Sequence, residues 1–267
     1  MPLIFCSLNS GSNGNCYYVG NGSEAVLIDA GISCREITRR MAASSLDMNK
    51  VKAIFISHEH TDHIKGVETL SGKYNIPVYI TSRTASNSNL NISSALRRNL
   101  GTEKISLGNL VIEAFSKKHD AADPHNFIVS SEGYSVGVFT DIGAVCNTLK
   151  QKFAECQAVF LESNYDRKML ENGPYPYHLK KRISGGLGHL SNDEALDLFK
   201  KHRNPALQYL LLSHLSKENN CPTLVAELFS SHAGKTKVSV ASRYMPSPVY
   251  SLSEISIRVP AKQLALF

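Results

Sequence analysis

Four apolar runs in this sequence each stop at a residue able to ligate a metal ion: Asp29 after Ala25–Ile28, His58 after Ile54–Ser57, Asp141 after Val138–Thr140, and His214 after Leu210–Ser213. Apolar runs of strand length recur along the chain, at Ile4–Leu8, Cys16–Val19, Ala25–Ile28, Val51–Ile56, Val78–Thr81, Leu110–Phe115, Phe127–Ser130, Ser135–Thr140, Ala158–Leu161, Tyr209–Leu212 and Lys237–Val240. Many are apolar nearly throughout, the pattern of strands covered on both faces. Segments of helical character lie between them: Ile64–Tyr74, Ser191–His202 and Ser216–Ser231. The second opens Ser-Asn-Asp-Glu, an N-cap residue followed by acids in the first turn. The alternation predicts an α/β layered architecture. In such a fold the four polar residues stand at the C-terminal ends of strands, where loops on a rigid sheet edge converge.

The segment His58-Glu59-His60-Thr61-Asp62-His63 supplies four possible ligands within six residues. His58 and His60 are two apart and face the same way in an extended segment, whereas Asp62 and His63 are adjacent and point in different directions. Such a cluster suits two metals, with His58 and His60 for the first and Asp62 and His63 for the second. Imidazole and carboxylate together suit Zn, Mn or Fe. A polar surface loop is the plain alternative, and it leaves the placement directly after a strand unexplained.

The 267 residues are 42% hydrophobic and 19% charged, which supports a buried core and excludes wholesale disorder. No repeat or linker interrupts the chain, so residues 1–260 read as a single domain followed by a tail, 261–267. No stretch approaches the roughly 20 apolar residues of a membrane span, and Met1–Ser12 lacks the regions of a secretory signal. The six cysteines include no Cys-x-x-Cys pair and read as small buried residues in a reducing cytoplasm, so a cytoplasmic location is expected. A net charge of +6 fits a polyanionic partner and fits an ordinary basic protein equally well. Cations bound at a metal site would offset its acids and leave the working surface more positive than that count.

His-x-His-x-Asp-His after a strand, preceded by Leu27-Ile28-Asp29-Ala30-Gly31, resembles the metallo-β-lactamase superfamily nearly end to end. The resemblance implies a four-layer αββα sandwich with a two-metal site at one edge. It assigns His58, His60 and His119 to the first metal, Asp62, His63 and His214 to the second, and Asp141 to a bridge. Asp29 would fix a ligand histidine from behind. No cysteine stands at a ligand position, which argues against the antibiotic-hydrolysing zinc enzymes that use one.

The likeness is closer to the nuclease side, and specifically to the WalJ (YycJ)-type proteins. The matching segments are Ser10–Asn15, Leu161–Asp166, Gly173–Pro176 with Leu179-Lys180, Gly188–Asn192 and Leu212–Asn219. Gly-His-Leu-Ser followed by Ser-His-Leu-Ser also resembles ribonuclease Z, which implies a catalytic role for His189 and a metal for His214. A β-CASP insertion has no room in this length. These likenesses imply a metal-dependent DNA exonuclease, 5′ to 3′, in which metals activate a water for in-line attack on phosphorus. Asp62 would orient that water, and His189 would donate to the leaving 3′ oxygen or hold the phosphate. Glu162 either orients His189 or is a plain strand-end acid. The Ser10, Gly11, Ser12 and Asn13 turn either presents amides to an anion or is an ordinary hairpin turn. Lys180-Lys181-Arg182, near Tyr175, Tyr177 and His178, reads either as part of a nucleic-acid groove or as a solvated basic run. His125, His202 and His232 read as structural.

The final Gln263-Leu264-Ala265-Leu266-Phe267 resembles the short peptide by which bacterial polymerases and repair proteins hold the sliding clamp, with Leu266 and Phe267 for an apolar pocket and Gln263 for polar contacts. A tail packed on its own domain is the alternative. Three other functions stand beside the exonuclease. They are RNA processing of the ribonuclease Z type, although its long tRNA-binding arm is not evident, thioester hydrolysis of the glyoxalase II type, and a non-catalytic clamp-tethered module.

Overall fold

A strand that is apolar on both faces has to be covered twice, and this chain covers its strands by stacking two sheets between helices. The computed structural model describes residues 2–252. One seven-stranded sheet contains β1 (Leu3–Asn9), β2 (Cys16–Gly20), β3 (Ala25–Ile28), β4 (Val51–Phe55), β5 (Val78–Ile80), β6 (Arg97–Asn99) and β14 (Tyr250–Leu252), in the order β14-β1-β2-β3-β4-β5-β6. The other contains β7 (Ile105–Leu107), β8 (Leu110–Ser116), β9 (His125–Ser131), β10 (Tyr134–Phe139), β11 (Ala158–Glu162), β12 (Tyr209–Ser213) and β13 (Lys237–Val240), in the order β13-β12-β11-β10-β9-β8-β7. The helices are α1 (Cys34–Ala43), α2 (Thr61–Ile64), α3 (Val67–Tyr74), α4 (Ser82–Asn87), α5 (Asn147–Ala154), α6 (Arg167–Asn172), α7 (Tyr177–Ser184), α8 (Asn192–His202) and α9 (Pro222–Ser230).

The period-2 alternation of each strand sorts its side chains between layers. Phe55 of β4 and Phe160 of β11 turn inward to the core between the sheets, with Phe5, Tyr17, Phe127 and Leu211. Ile54 of β4 turns outward to Ile37 and Met41 of α1 and Val67 and Leu70 of α3. Val159 and Leu161 of β11 turn outward to Phe153 of α5, Phe199 of α8 and Phe229 of α9. The layers are therefore helix, sheet, sheet, helix, the αββα sandwich expected from the sequence.

Topology gathers strand ends at one place. Strands β3 to β6 run parallel, as do β10 to β13. Strand β8 is antiparallel to β9 and β9 to β10, so β8 and β10 end at the same edge.

Each of the eleven expected strands exists, within one or two residues of its expected ends. Among the described residues three more exist, and β6 gave no signal because Arg97, Arg98 and Asn99 are exposed and polar. The expected helix Ile64–Tyr74 is two helices, α2 and α3. They part at Gly66, whose amide donates to Ala30 O at 2.7 Å and where a Cβ would lie 2.1 Å from Ile32 O. The expected helix Ser216–Ser231 begins only at Pro222, which takes the first helical position. Its first six residues form a loop in which Asn219 O accepts from Asp166 N at 2.8 Å. Helix α8 starts as expected, with Ser191 and Glu194 forming a capping box. Among the described residues no helix is long and apolar enough to cross a membrane. The proposed clamp peptide, Gln263, Leu264, Leu266 and Phe267, lies outside the described residues.

Phe160 packs 4.8 Å from the Tyr17 ring and 5.8 Å from that of Phe5, joining the two sheets. Phe160→Ala is expected to lower unfolding free energy by about 3–5 kcal/mol in urea denaturation. A loss under about 1 kcal/mol would contradict this placement of the core.

Candidate metal centre and its cleft

The end of β3 gives Asp29, the end of β4 leads to His58 and His60, and α2 carries Asp62 and His63. The β8–β9 connection gives His119, the end of β10 gives Asp141, the end of β11 gives Glu162, and β12 leads to His214. Asp29, Asp141 and His214 all adopt the left-handed conformation, with φ of 60°, 54° and 55°. This conformation is costly for a residue with a side chain, and here it turns the chain sharply at the sheet edge.

The seven expected ligands lie together in two adjoining groups. His58 Nε2 is 3.0 Å from His60 Nδ1, which is 3.4 Å from His119 Nε2. Asp62 Oδ2 is 3.6 Å from His63 Nε2 and 3.5 Å from His214 Nε2. Asp141 stands between the groups, its Oδ2 3.2 Å from His63 Nε2 and its Oδ1 3.3 Å from His214 Nε2 and 3.9 Å from His119 Nε2. Ligand atoms bound tetrahedrally at about 2.0–2.1 Å would be roughly 3.3 Å apart. Asp141 Oδ2 and His214 Nε2 are buried without a hydrogen-bond partner, and a cation would satisfy both. These residues fit divalent metal.

The ring nitrogens behind the ligand atoms are fixed by hydrogen bonds. Asp29 accepts from Ser57 N (2.8 Å), Ser57 Oγ (2.8 Å) and His63 Nδ1 (2.6 Å). Having given its hydrogen to Asp29, Ser57 Oγ accepts from His58 Nδ1 at 2.9 Å. His119 Nδ1 donates to Gly188 O at 3.0 Å. His58, His63 and His119 thus keep Nε2 for a metal. The segments also pack closely. Asn15 N donates to Asp62 O (2.7 Å) and Gly31 N to Asn15 O (2.8 Å), and a Cβ at Gly31 would lie 1.7 Å from Asp62 O.

Electrostatics separates the two groups. Burial, reinforced by the charges of His63 and Lys117, pushes His58 well below its ordinary pKa, and burial takes His119 down to about 4. Burial opposes protonation of His63 too, yet Asp141, Asp29 and Asp62 raise it well above its usual value. Burial is likewise overcome at His214, which Asp141, Asp62 and Glu162 raise to about 10. Burial disfavours the charge on Asp141, but His214 and His63 hold its pKa far down.

Glu162 lies behind this row, fully buried. It accepts from Ile142 N (2.6 Å), Leu190 N (3.2 Å) and His189 Nδ1 (2.7 Å), and sits 3.3 Å from His214 Nδ1. Burial would raise its pKa, but His189 and His214 bring it to about 2. His189 lines a cleft of about 430 Å³ together with Asp62, Ser12, Tyr175, Leu179 and Arg182.

The remaining expected site residues are placed differently. Ser10 is buried, its Oγ accepting from His214 N at 2.8 Å and lying 2.9 Å from Tyr17 Oη. Asn13 donates to Arg243 O at 3.2 Å, and Gly11 is absent from the cleft wall. Lys180 points away from the cleft and donates to Glu171 O at 2.8 Å. Sequence reasoning missed Ser57, Asn15, Asp120 and Asn164. Asp120 sits between His119 Nε2 (3.4 Å) and Arg182 Nε (2.5 Å), and Asn164 donates to His214 O at 2.7 Å. Their only sequence signal is position, beside a ligand or inside a segment already singled out.

With this geometry in view, the comparisons with known proteins agree on a family. Residues 10–131 match the metallo-β-lactamase superfamily. The chain is 33% identical over 233 residues to Exodeoxyribonuclease YycJ of Bacillus anthracis, covering 84% of this chain and 86% of that one. It is 33% identical over 224 residues to Exodeoxyribonuclease WalJ of Streptococcus pneumoniae, covering 81% and 83%. In fold it is similar to the metallo-β-lactamase fold protein YhfI of Bacillus subtilis (TM-score 0.71, 14% identity, 94% and 100% covered) and to the short form of human tRNase Z (TM-score 0.63, 16% identity, 92% and 99% covered). The chain belongs to the metallo-β-lactamase superfamily. It is a metal-dependent hydrolase of that family.

Metal binding requires neutral imidazole, so a cation at the Asp62/His63/His214 group displaces protons. A pKa raised to about 10 in the fold stabilises the metal-free protein fully below the unfolded value of about 6.5, and that contribution is lost only as pH rises through 10. Metal affinity at this group is therefore expected to weaken as pH falls from about 8 to about 6, with proton release on binding. Titration calorimetry in buffers of different ionisation enthalpy checks both. A flat affinity with no proton release would contradict them.

Proposed function

We propose that this chain is a dinuclear-metal phosphodiesterase that degrades DNA from an end, 5′ to 3′, in DNA repair or replication. The observation that carries the reading is Asp141 shared between two ligand groups, with His189 held beside them on buried Glu162. The names of the YycJ and WalJ relatives support a nuclease, and the direction and the repair setting rest on the same likeness.

In this reading His58, His60 and His119 would hold one cation and Asp62, His63 and His214 a second, and Asp141, placed between the groups, would serve both. Zn, Mn and Fe all suit the donor set. Bound there, the cations would supply Lewis acidity, lowering the pKa of a water and neutralising charge on the phosphoryl oxygens. Asp62, open to the cleft, orients the attacking water. A carboxylate only accepts, so His189 Nδ1 carries the hydrogen on Glu162, and Nε2 is the atom available to the cleft. From there His189 donates a proton to the leaving 3′ oxygen. Glu162 acts through His189 and His214 and is a positioning residue. Asp29 has the same part toward His63. Ser12 and Arg182 contact substrate phosphates, with Asp120 aiming the Arg182 guanidinium.

The sandwich is proposed to be a single domain, with the residues after 260 a separate tail. Gln263–Phe267 is assigned to a bacterial sliding clamp on its residue pattern alone. Equal clamp retention by a chain lacking those residues would remove that assignment.

The direct assay offers 5′-phosphorylated DNA, RNA and a thioester to the protein loaded with Mn or Zn. Shortening of DNA from the 5′ end is expected, and thioester hydrolysis without nuclease activity would overturn the reading. His189→Ala is expected to lower kcat about 10²–10⁴-fold while metal content stays unchanged. Asp62→Ala should abolish cleavage in a folded protein.

A further inference from the structure

Helix α7 has no buried residue along its eight positions, so no core contact explains it. Its side chains fall into two stripes at helical spacing. Leu179, Arg182 and Ile183 line the catalytic cleft. Tyr177, Lys180 and Lys181 line a second cavity of about 420 Å³, whose other wall includes Arg167, Leu170 and Glu171 of α6. The helix is thus a ridge between two cavities of nearly equal volume, and it carries three cations and no acid.

The second cavity has the chemistry of a single-strand site. Tyr177 is 75% exposed and keeps an open ring face, with Lys181 Nζ 5.9 Å from the ring centroid. Lys180 Nζ spends one hydrogen on Glu171 O and retains two donors. Arg167 is shared with Asp193 (3.4 Å) and Glu194 (3.5 Å), so the two lysines carry the positive charge against Glu171. Exposed aromatic next to paired ammonium groups recognises stacked bases and phosphates without regard to sequence.

We propose that this cavity is a groove for the continuing single strand of the DNA substrate, which crosses α7 from the catalytic cleft, lays phosphates on Lys180 and Lys181 and stacks a base on Tyr177. The proposal rests on the nuclease reading. Its support is charge complementarity and continuity with the cleft across one helix. A helix is about 10–12 Å across, so only a strand long enough to cross it from the metal centre reaches the groove.

The test uses metal-loaded full-length protein and fluorescent phosphorothioate single strands, which resist cleavage, of about two and about twenty nucleotides. Wild-type protein is expected to bind the long strand at least about tenfold tighter in anisotropy titrations. Tyr177→Ala/Lys181→Glu removes most of that gain and makes the slope of log affinity against log salt shallower by about 0.7 or more. Lys181→Arg retains the slope, which guards against a merely structural effect. No length gain in wild type, or wild-type affinity and slope in the double variant, overturns the groove. Cleavage is scored separately. Protein that binds as expected but does not cleave DNA refutes the nuclease reading and leaves the groove standing. Protein that cleaves DNA without a length gain does the reverse.

Discussion

Asp29, Asp141 and Glu162 are carboxylates buried at one edge of two packed sheets. Desolvating a charge costs several kcal/mol unless partners are supplied, and the surrounding structure is arranged to supply them. Asp29 is met by Ser57 and His63, and Glu162 by two backbone amides and His189. Asp141 differs, because its nearest partners are the imidazoles of His63 and His214, with His119 of the other group 3.9 Å away, and its Oδ2 accepts no hydrogen bond. A carboxylate so placed is stabilised by cations, whether protonated histidine or metal.

That constraint reaches into the backbone. Three residues at strand ends hold left-handed conformations to turn the chain, a strain of about 1–3 kcal/mol each that packing has to offset. The offset comes from the sheets behind them, whose strands are covered on both faces, and from close approach in front, where Gly31 lies against the Asp62 carbonyl. Sheet edge and centre therefore depend on each other, which suits a site needing sub-ångström placement of ligands.

Much of this is legible in the sequence, for reasons that also mark its limits. Strands buried on both faces give continuous apolar runs, so β1 to β5, β8 to β13 and the residues that follow them could be read directly. Potential ligands at strand ends stand out because they break an apolar run. Strand β6 could not be read, since an exposed Arg-Arg-Asn pairs only because β5 offers an edge. Helix α7 carries no apolar stripe for a core. The bracing partners Ser57, Asn15, Asn164 and Asp120 have ordinary sequence surroundings, and their meaning comes from residues 28 to 62 positions away. Ser10 and Asn13 lie in a Gly/Ser/Asn turn that looks alike whether its amides face an anion or it only turns the chain, while their side chains brace His214 and Arg243.

The proposed dinuclear site turns on Asp141, the carboxylate placed between the two ligand groups. The most direct measurement is elemental analysis of purified protein loaded with zinc or manganese, beside Asp141→Ala. Two divalent cations per folded wild-type chain, falling to one or fewer in the variant, is the expected result. A single cation in wild type, or two in Asp141→Ala, would contradict it.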